Sequence, residues 1–338
     1  MTTRARTSRS FSRILATLSC MLALSGLAPA ASAQTKVRYE EVVRSVLYAP
    51  MYVALQKGYF KEAGLDVTMK TSQGTDKGMA ALLSGSADIV LIGPEASIYV
   101  AKSESPVKPR IFAGLTATDG FVLVSRKPIE NFTWDMLKNK SVLSFRPGSA
   151  PDVFLEAALR KHNLDPKKDV KLVNNVGPAA RAGSWMAGQN DFAIFLEPEV
   201  GTLIRQKQAY ALASIGREVG PVDYTVFTAT DAYIEKNPQV IQPWTNAIAK
   251  TQKYVESAPV DSLAADLTPY FPGVGKAELA EAITRYRGYG IWKTTPIVRP
   301  SAIEQMQDML VAAGSMKTDA RVAYQQVVDT SFATKVPQ

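Results

Sequence analysis

One joint is written twice in this 338-residue chain, and it restricts the fold more than any other feature. In the first copy, Gly85-x-x-Asp88 leads into four apolar residues, 89–92, and then Pro94-Glu95. In the second, Gly188-x-x-Asp191 leads into five apolar residues, 192–196, and then Pro198-Glu199. Each part has a physical reading. A short apolar helix pattern (Met79, Ala80, Leu82, Leu83) closes at a glycine, which tolerates the left-handed conformation past a helix end. A polar turn follows, and then an unbroken apolar run, the pattern of a strand buried on both faces as in a parallel sheet. Proline and glutamate suit the first turn of the next helix. In open α/β sheets, ligands sit beyond the carboxyl ends of strands, where helix N-termini present free N–H groups. A chain that builds this joint twice is expected to carry two α/β halves, each with a ligand-facing edge.

The surrounding pattern extends both halves. In the first, strands are predicted over 36–43, 67–71 and 89–92, with helices near 51–57 and 79–83, Thr75 as N-cap of the second, and two more strands over 110–116 and 121–125. In the second, strands are predicted over 141–145, 170–174 and 192–196, with helices following Ser149 and Gly177-Pro178. Asn163-Leu164-Asp165 answers Gly64-Leu65-Asp66. Each half reads strand-helix-strand-helix-strand, and therefore predicts a parallel sheet with right-handed crossovers. A strand over 224–228 and helices over 238–257, 261–270, 276–288 and 300–313 complete the chain. A chain that finishes its second half with a strand and ends in helices is expected to return to the first half. Crossings near 121–125 and 222–228 would then form a two-strand hinge suited to closure on a ligand.

The N-terminus stands apart. Arg4, Arg6, Arg9 and Arg13 precede an apolar run, 14–28, and Ala31-Ser32-Ala33 supplies a small-x-small cleavage pattern. This is read as a secretory signal peptide over 1–33, cleaved near Ala33, with a periplasmic product. Removing those residues, which hold four arginines and no acids, lowers the formal charge from +8 to +4. No long basic run remains, so no nucleic-acid partner is expected. The single cysteine, Cys20, lies in the leader, which leaves no disulfide or thiolate chemistry in the remainder.

Several stretches carry a resemblance: Ala49-Pro50, Lys57-Gly58-Tyr59-Phe60, Gly64-Leu65-Asp66-Val67, Leu82-Leu83-x-Gly85-x-x-Asp88, and the proline after the strand ending at Leu196. In these the chain resembles the periplasmic substrate-binding proteins of ABC importers, in the branch that handles sulfonates, nitrate, taurine and thiamine-precursor pyrimidines. The resemblance implies an α/β, two-lobed periplasmic-binding-protein fold (type II) with a two-strand hinge. Residues 34–122 with 225–338 would form one lobe and 123–224 the other. It also implies a small-molecule ligand between the lobes, and a permease with its ATPase at the inner membrane as partners. A monomer without cofactor or metal is expected.

If that architecture holds, loops containing Tyr48, then Gln73, Gly74 and Thr75, then Gly93, Glu95, Ala96 and Ser97, then Arg146, Gly148, Ser149 and Ala150, and finally Glu197 face the cleft. Asp119, in the turn between two strands, and the ring of Tyr224 complete the candidates. The helix starts after Gly74, Pro94 and Gly148, with Arg146, favour an anionic or hydrogen-bond-accepting group. Glu95 and Glu197 favour an amine, a pyrimidine edge or a cation, although Glu95 also suits a plain helix N-terminal acid. Phe145 and Trp185 are further ring candidates; core packing suits Trp185 better, and Trp292 reads as structural.

Catalytic parts are scarce. The one histidine, His162, ends a predicted helix beside Arg160 and Lys161, where the helix dipole favours it. No GxSxG elbow, HExxH pair, Cys/His cluster or GxxxxGK[ST] loop is present. The pyrimidine synthases that share the fold family rely on a histidine and a cysteine-rich motif that the sequence after residue 33 cannot supply. A binding module is favoured. An exported enzyme using a carboxylate pair such as Glu95 and Glu197, and a ligand-sensing domain for a membrane receptor, are the alternatives.

Overall fold

The computed structural model describes residues 34–337; the leader read over 1–33 lies outside the described residues. The strands are β1 (Thr35–Glu41), β2 (Leu65–Thr71), β3 (Ile89–Ile92), β4 (Pro109–Gly114), β5 (Val122–Ser125), β6 (Ser141–Leu143), β7 (Lys171–Val173), β8 (Phe192–Phe195), β9 (Tyr210–Ser214) and β10 (Val226–Thr230). They form two five-stranded sheets, in the orders β2-β1-β3-β10-β4 and β7-β6-β8-β5-β9. The helices that frame the two halves include α1 (Ala49–Gln56), α2 (Thr75–Leu83), α3 (Pro94–Lys102), α4 (Ala150–Lys161), α5 (Arg181–Met186), α6 (Glu199–Arg205), α7 (Ile215–Val219), α8 (Pro238–Ser257), α9 (Val260–Leu267), α10 (Lys276–Tyr289) and α11 (Pro300–Ala312).

The repeated joint is the same local structure built twice. Gly85 and Gly188 both adopt left-handed backbone, at φ 72° and 82°. Asp88 Oδ2 accepts the backbone N–H of Arg38 at 2.8 Å, and Asp191 Oδ2 accepts that of Ser141 at 2.8 Å. Each aspartate thereby ties the start of its own strand to the neighbouring parallel strand, β1 or β6. The runs that follow, β3 and β8, are buried throughout.

Two expectations need correction. Thr75 is the first residue of α2; Gly74 is the N-cap, and no side chain caps the helix. The sheets are mixed, because each takes in one antiparallel strand. β5, the first strand after the chain leaves the first sheet, inserts between β8 and β9. β10, the first strand after it leaves the second sheet, inserts between β3 and β4. Each inserted strand carries a register shift, between Leu123 and Val124 in β5 and between Phe227 and Thr228 in β10. The two halves thus share even this irregularity. β9 carries no strand signature in the sequence, since Tyr210-Ala-Leu-Ala-Ser lacks a strong apolar or alternating pattern. Val122 opens β5 and so belongs with the second sheet.

The two crossings run side by side. Thr116 Oγ1 and Thr225 Oγ1 lie 2.8 Å apart, and Leu115 N–H donates to Thr225 O at 2.9 Å. A third segment joins them, with Ala117 N–H donating to Ile291 O at 2.7 Å. The helical tail does more than return to the first half. α11 packs on both α3 and α4, and α10 packs on α6. The first half's core centres on Trp244 of α8, fully buried, with the rings of Phe60, Tyr39 and Phe227 at 4.5, 5.5 and 5.5 Å.

Gly216 in α7 marks where the second half meets the first crossing. A Cβ there would fall 2.1 Å from the carbonyl oxygen of Asp119 and 2.9 Å from the Thr118 side chain. Backbone cannot swing aside as a flexible side chain can. Gly216→Ala is therefore expected to lower unfolding stability by ~1–3 kcal/mol, the usual cost of overpacking. Chemical denaturation checks this, and an unchanged midpoint would show that the crossings have more play than their contacts indicate.

Candidate functional site

A cleft of ≈ 740 Å³ opens at the carboxyl ends of strands from both sheets, where ligands bind in open α/β sheets. The loops after β1, β2 and β3 contribute Val42 to Arg44, Leu47 and Tyr48, then Gln73 to Lys77, then Gly93. Those after β6, β7 and β8 contribute Phe145, Arg146, Ser149 to Pro151, Asn174 to Ala179, and Leu196 to Glu199. Phe121, Tyr224 and Thr225 from the crossings close one end.

Of the residues expected from sequence, Tyr48, Gln73, Gly74, Thr75, Gly93, Arg146, Ser149, Ala150, Glu197 and Tyr224 line this cleft. Glu95, Ala96, Ser97, Asp119 and Gly148 are not among its lining residues. Ala96 and Ser97 turn into the buried side of α3. Gly148 instead gives its carbonyl to the Tyr99 hydroxyl at 2.9 Å. Asp119 is fully buried at the first crossing; its Oδ1 accepts the Phe121 N–H, and its Oδ2 has no partner among the described residues. Burial pushes its carboxyl up to about 8, with the Phe121 N–H opposing.

The two glutamates differ from each other. The Glu197 side chain is fully buried and held from both ends. Its Oε1 accepts Arg285 Nε–H at 2.5 Å, and its Oε2 accepts the Gly201 N–H at 3.0 Å. Its backbone ties the halves together as well: the Ser45 hydroxyl donates to Glu197 O at 2.7 Å, and Glu197 N–H donates to the Tyr286 hydroxyl at 2.8 Å. Glu95 Oε1 accepts the N–H of Ala150, from the opposite half, at 3.1 Å. Burial pushes the Glu95 carboxyl up to about 7. Arg146 is an exposed rim residue, 3.7 Å from Asp76 across the cleft mouth, and such a surface pair contributes little.

Sequence reasoning missed Arg181. Its guanidinium is buried in the cleft wall, 3.7 Å over the Phe145 ring, and donates to the carbonyls of Leu143, Ser144 and Ile194. Among the described residues no carboxylate pairs with it directly. Burial pulls it down to about 9, with the charge of Glu199 opposing. The available signal was a lone charge among small and apolar residues in the stretch before Trp185. Asn174 was also missed; its amide donates to Phe145 O at 2.6 Å and Asp152 Oδ1 at 2.7 Å, which orders the loop carrying Arg146. The asparagine pair directly after a strand was its signal.

Other expectations concern residues outside the cleft. Trp185 is fully buried, with its indole N–H on Gln208 O at 2.9 Å. Trp292 donates to Leu47 O at 2.9 Å and supports the loop before Tyr48. His162 does cap α4 at its C-terminus, but it stacks on Trp134 at 4.9 Å and meets Glu218 at 2.8 Å instead of standing free in water. Among the described residues no cluster of metal-ligating side chains occurs, and no helix is long and apolar enough to cross a membrane.

With this geometry in place, comparison with known proteins is decisive for the family. The family model described as NMT1/THI5 like matches residues 46–262. The chain belongs to the NMT1/THI5-like family. The putative binding protein YtlA of Bacillus subtilis is 36% identical over 303 residues, covering 89% of this chain and 90% of the relative. Solved structures share the fold at lower identity. The alkanesulfonate-binding protein SsuA of Xanthomonas axonopodis, bound to MOPS, superposes with a TM-score of 0.70 at 16% identity, covering 88% of this chain and 99% of that one. The periplasmic nitrate-binding protein NrtA of Synechocystis superposes with a TM-score of 0.71 at 17% identity, covering 88% and 87%. The NMT1/THI5-like chain therefore has the two-lobed periplasmic-binding-protein fold, in agreement with the resemblance carried by its sequence motifs.

Proposed function

We propose that this protein is the exported solute-binding component of an ABC import system. It captures a small polar organic ligand between its lobes, and a membrane permease with its ATPase receives that ligand. The observation that carries the reading is the ≈ 740 Å³ cleft, built at the strand ends of both sheets and lined by both. The leader-like stretch over 1–33 supports export to the periplasm. The lobes divide at the two crossings, with 122–224 forming the second. A single chain supplies the whole cleft, which suits a monomer.

The ligand belongs to the range its structural neighbours bind, sulfonates and nitrate, or to the pyrimidine-type compounds suggested by the resemblance. The rings of Phe121, Phe145, Phe195 and Tyr224 offer flat walls, and Arg181, Asn174 and the loop N–H groups offer polar contacts. The protein works by binding and not by turnover. In support, the two carboxylates that could have formed an acid/base pair are engaged, Glu197 by Arg285 and Glu95 by Ala150.

Ligand contacts shared by both lobes favour the closed form. The compound released from denatured protein, identified by mass spectrometry, is to be added back to ligand-free protein in a scattering cell. A fall in radius of gyration is expected, and unchanged dimensions at saturation would overturn the proposal.

A further inference from the structure

Helices α3 and α4 start from opposite halves and bring their N-termini together at one pole of the cleft. Gly93, Ser149 and Ala150 at these starts line the cleft. Helix N-termini leave N–H groups unpaired and carry partial positive charge, so this junction is where an anionic ligand group would ordinarily rest. Here the protein places its own anion. Glu95, in the first turn of α3, is 2% exposed. Its Oε1 accepts the N–H of Ala150, the first residue of α4, at 3.1 Å. The carboxylate folds back over Gly93, where an added Cβ would fall 2.0 Å from Oε2. Oε2 itself is buried without a partner among the described residues. Beside it, the Tyr99 hydroxyl on Gly148 O holds the same two helices together.

Resting on the solute-binding reading, we propose that Glu95 sets the ligand class. Its carboxylate fills the anion position between the two helix starts, directly behind the cleft-lining Gly93 and Ala150, and the cleft selects a ligand that presents an N–H donor to that wall, neutral or cationic, over a sulfonate, nitrate or carboxylate. Hydrogen-bond supply decides the selection. A buried carboxylate oxygen without a donor is costly, and a ligand N–H relieves that cost. Above pH 7, where the Glu95 carboxyl is ionised, a ligand oxyanion at the same place meets like charge, and it competes for an N–H already in use. The groups facing Glu95 do not cancel this charge. They are the N–H groups of Ala150 and of Glu95 itself, the hydroxyls of Tyr48, Tyr99 and Tyr224, and Arg146 at the rim, whose charge favours the ionised form.

The test titrates sodium ethanesulfonate and sodium nitrate calorimetrically at pH 8.5, where the Glu95 carboxyl is ionised, into the wild-type protein, Glu95→Ala and Glu95→Gln. The glutamine keeps the acceptor for Ala150 and so preserves the fold should the alanine disturb it; circular dichroism confirms folding in each case. No binding of either salt at millimolar concentration is expected for the wild type. A gain in ethanesulfonate affinity of about tenfold or more is expected in Glu95→Ala, since each tenfold corresponds to ~1.4 kcal/mol and one buried like charge contributes at least that. Wild-type binding of either anion, or a folded Glu95→Ala with no gain, overturns the assignment. So does recovery from the wild-type protein of a compound without an N–H donor. That last result would leave the solute-binding reading standing, because closure by the recovered compound is measured separately.

Discussion

Asp119→Asn is expected to make the protein more stable than the wild type above pH 8 and to leave the two nearly equal near pH 4. The carboxyl is raised from the ordinary aspartate range to about 8, chiefly by burial. A carboxyl held higher in the folded state than in the unfolded state keeps its proton longer when folded. Its stability contribution is therefore complete below the unfolded value and is lost as pH rises through the folded one. The slope is one proton, ~1.4 kcal/mol per pH unit, across the interval between the two values. The difference between variant and wild type should grow by an amount on the order of 5 kcal/mol between pH 4 and pH 9. Asparagine suits the site, because its side-chain oxygen can still accept the Phe121 N–H. Glu95 and Asp152, both raised to about 7, add to the wild-type decline in the same direction, so the comparison must be between the two proteins at each pH. Denaturant titrations across that range decide the matter. A stability difference that does not change with pH would mean Asp119 is better solvated than its burial implies.

The second large effect belongs to Arg285→Ala, expected to destabilise by about 3–5 kcal/mol, the cost of leaving a buried charge without its partner. Glu197 is fully buried, and Arg285 is its only cation within salt-bridge range among the described residues. The Gly201 N–H alone would then face the carboxylate. Adding Glu197→Gln to Arg285→Ala should recover much of the loss, because the orphaned charge is gone. A double-mutant cycle by chemical denaturation isolates the pair, and a coupling below about 0.5 kcal/mol would place it among independent residues. The result also bears on function. A glutamate so firmly paired positions the loop after β8 and is poorly placed to exchange protons with a ligand.

Much of the site was legible because local pattern controls it. Candidate binding loops follow strand ends, strand ends follow apolar runs, and so the cleft positions of Tyr48, Gln73, Gly93, Ser149 and Glu197 can be read from the sequence. Arg181 was not legible in that way. It sits on a helix, and only the stacking of α5 beside β6 and β8 brings its guanidinium onto the Phe145 ring and three strand carbonyls. Asp119 and Glu95 looked like residues available to a ligand, since a polar residue in a turn or at a helix start is usually exposed. Their burial is a product of tertiary packing: Gly216 of α7 lies against the Asp119 backbone, and the start of α4 meets the Glu95 carboxylate.

By itself the sequence determined the two α/β halves, their repeated glycine–aspartate joint, the positions of the long helices and the family resemblance. Each of these depends on contacts within a few residues or on a periodicity that burial imposes on a single element. Tertiary structure alone decided that the sheets are mixed, that β5 and β10 are exchanged between the halves, and that the tail helices pack on both. It also decided which polar groups are paired and which are left wanting a partner. Strand order and the pairing of buried charges join residues a hundred or more positions apart, as Thr116 meets Thr225. Such contacts leave no local period in the chain, because the free energy that selects them exists only once both halves are folded and the surfaces between them are dry.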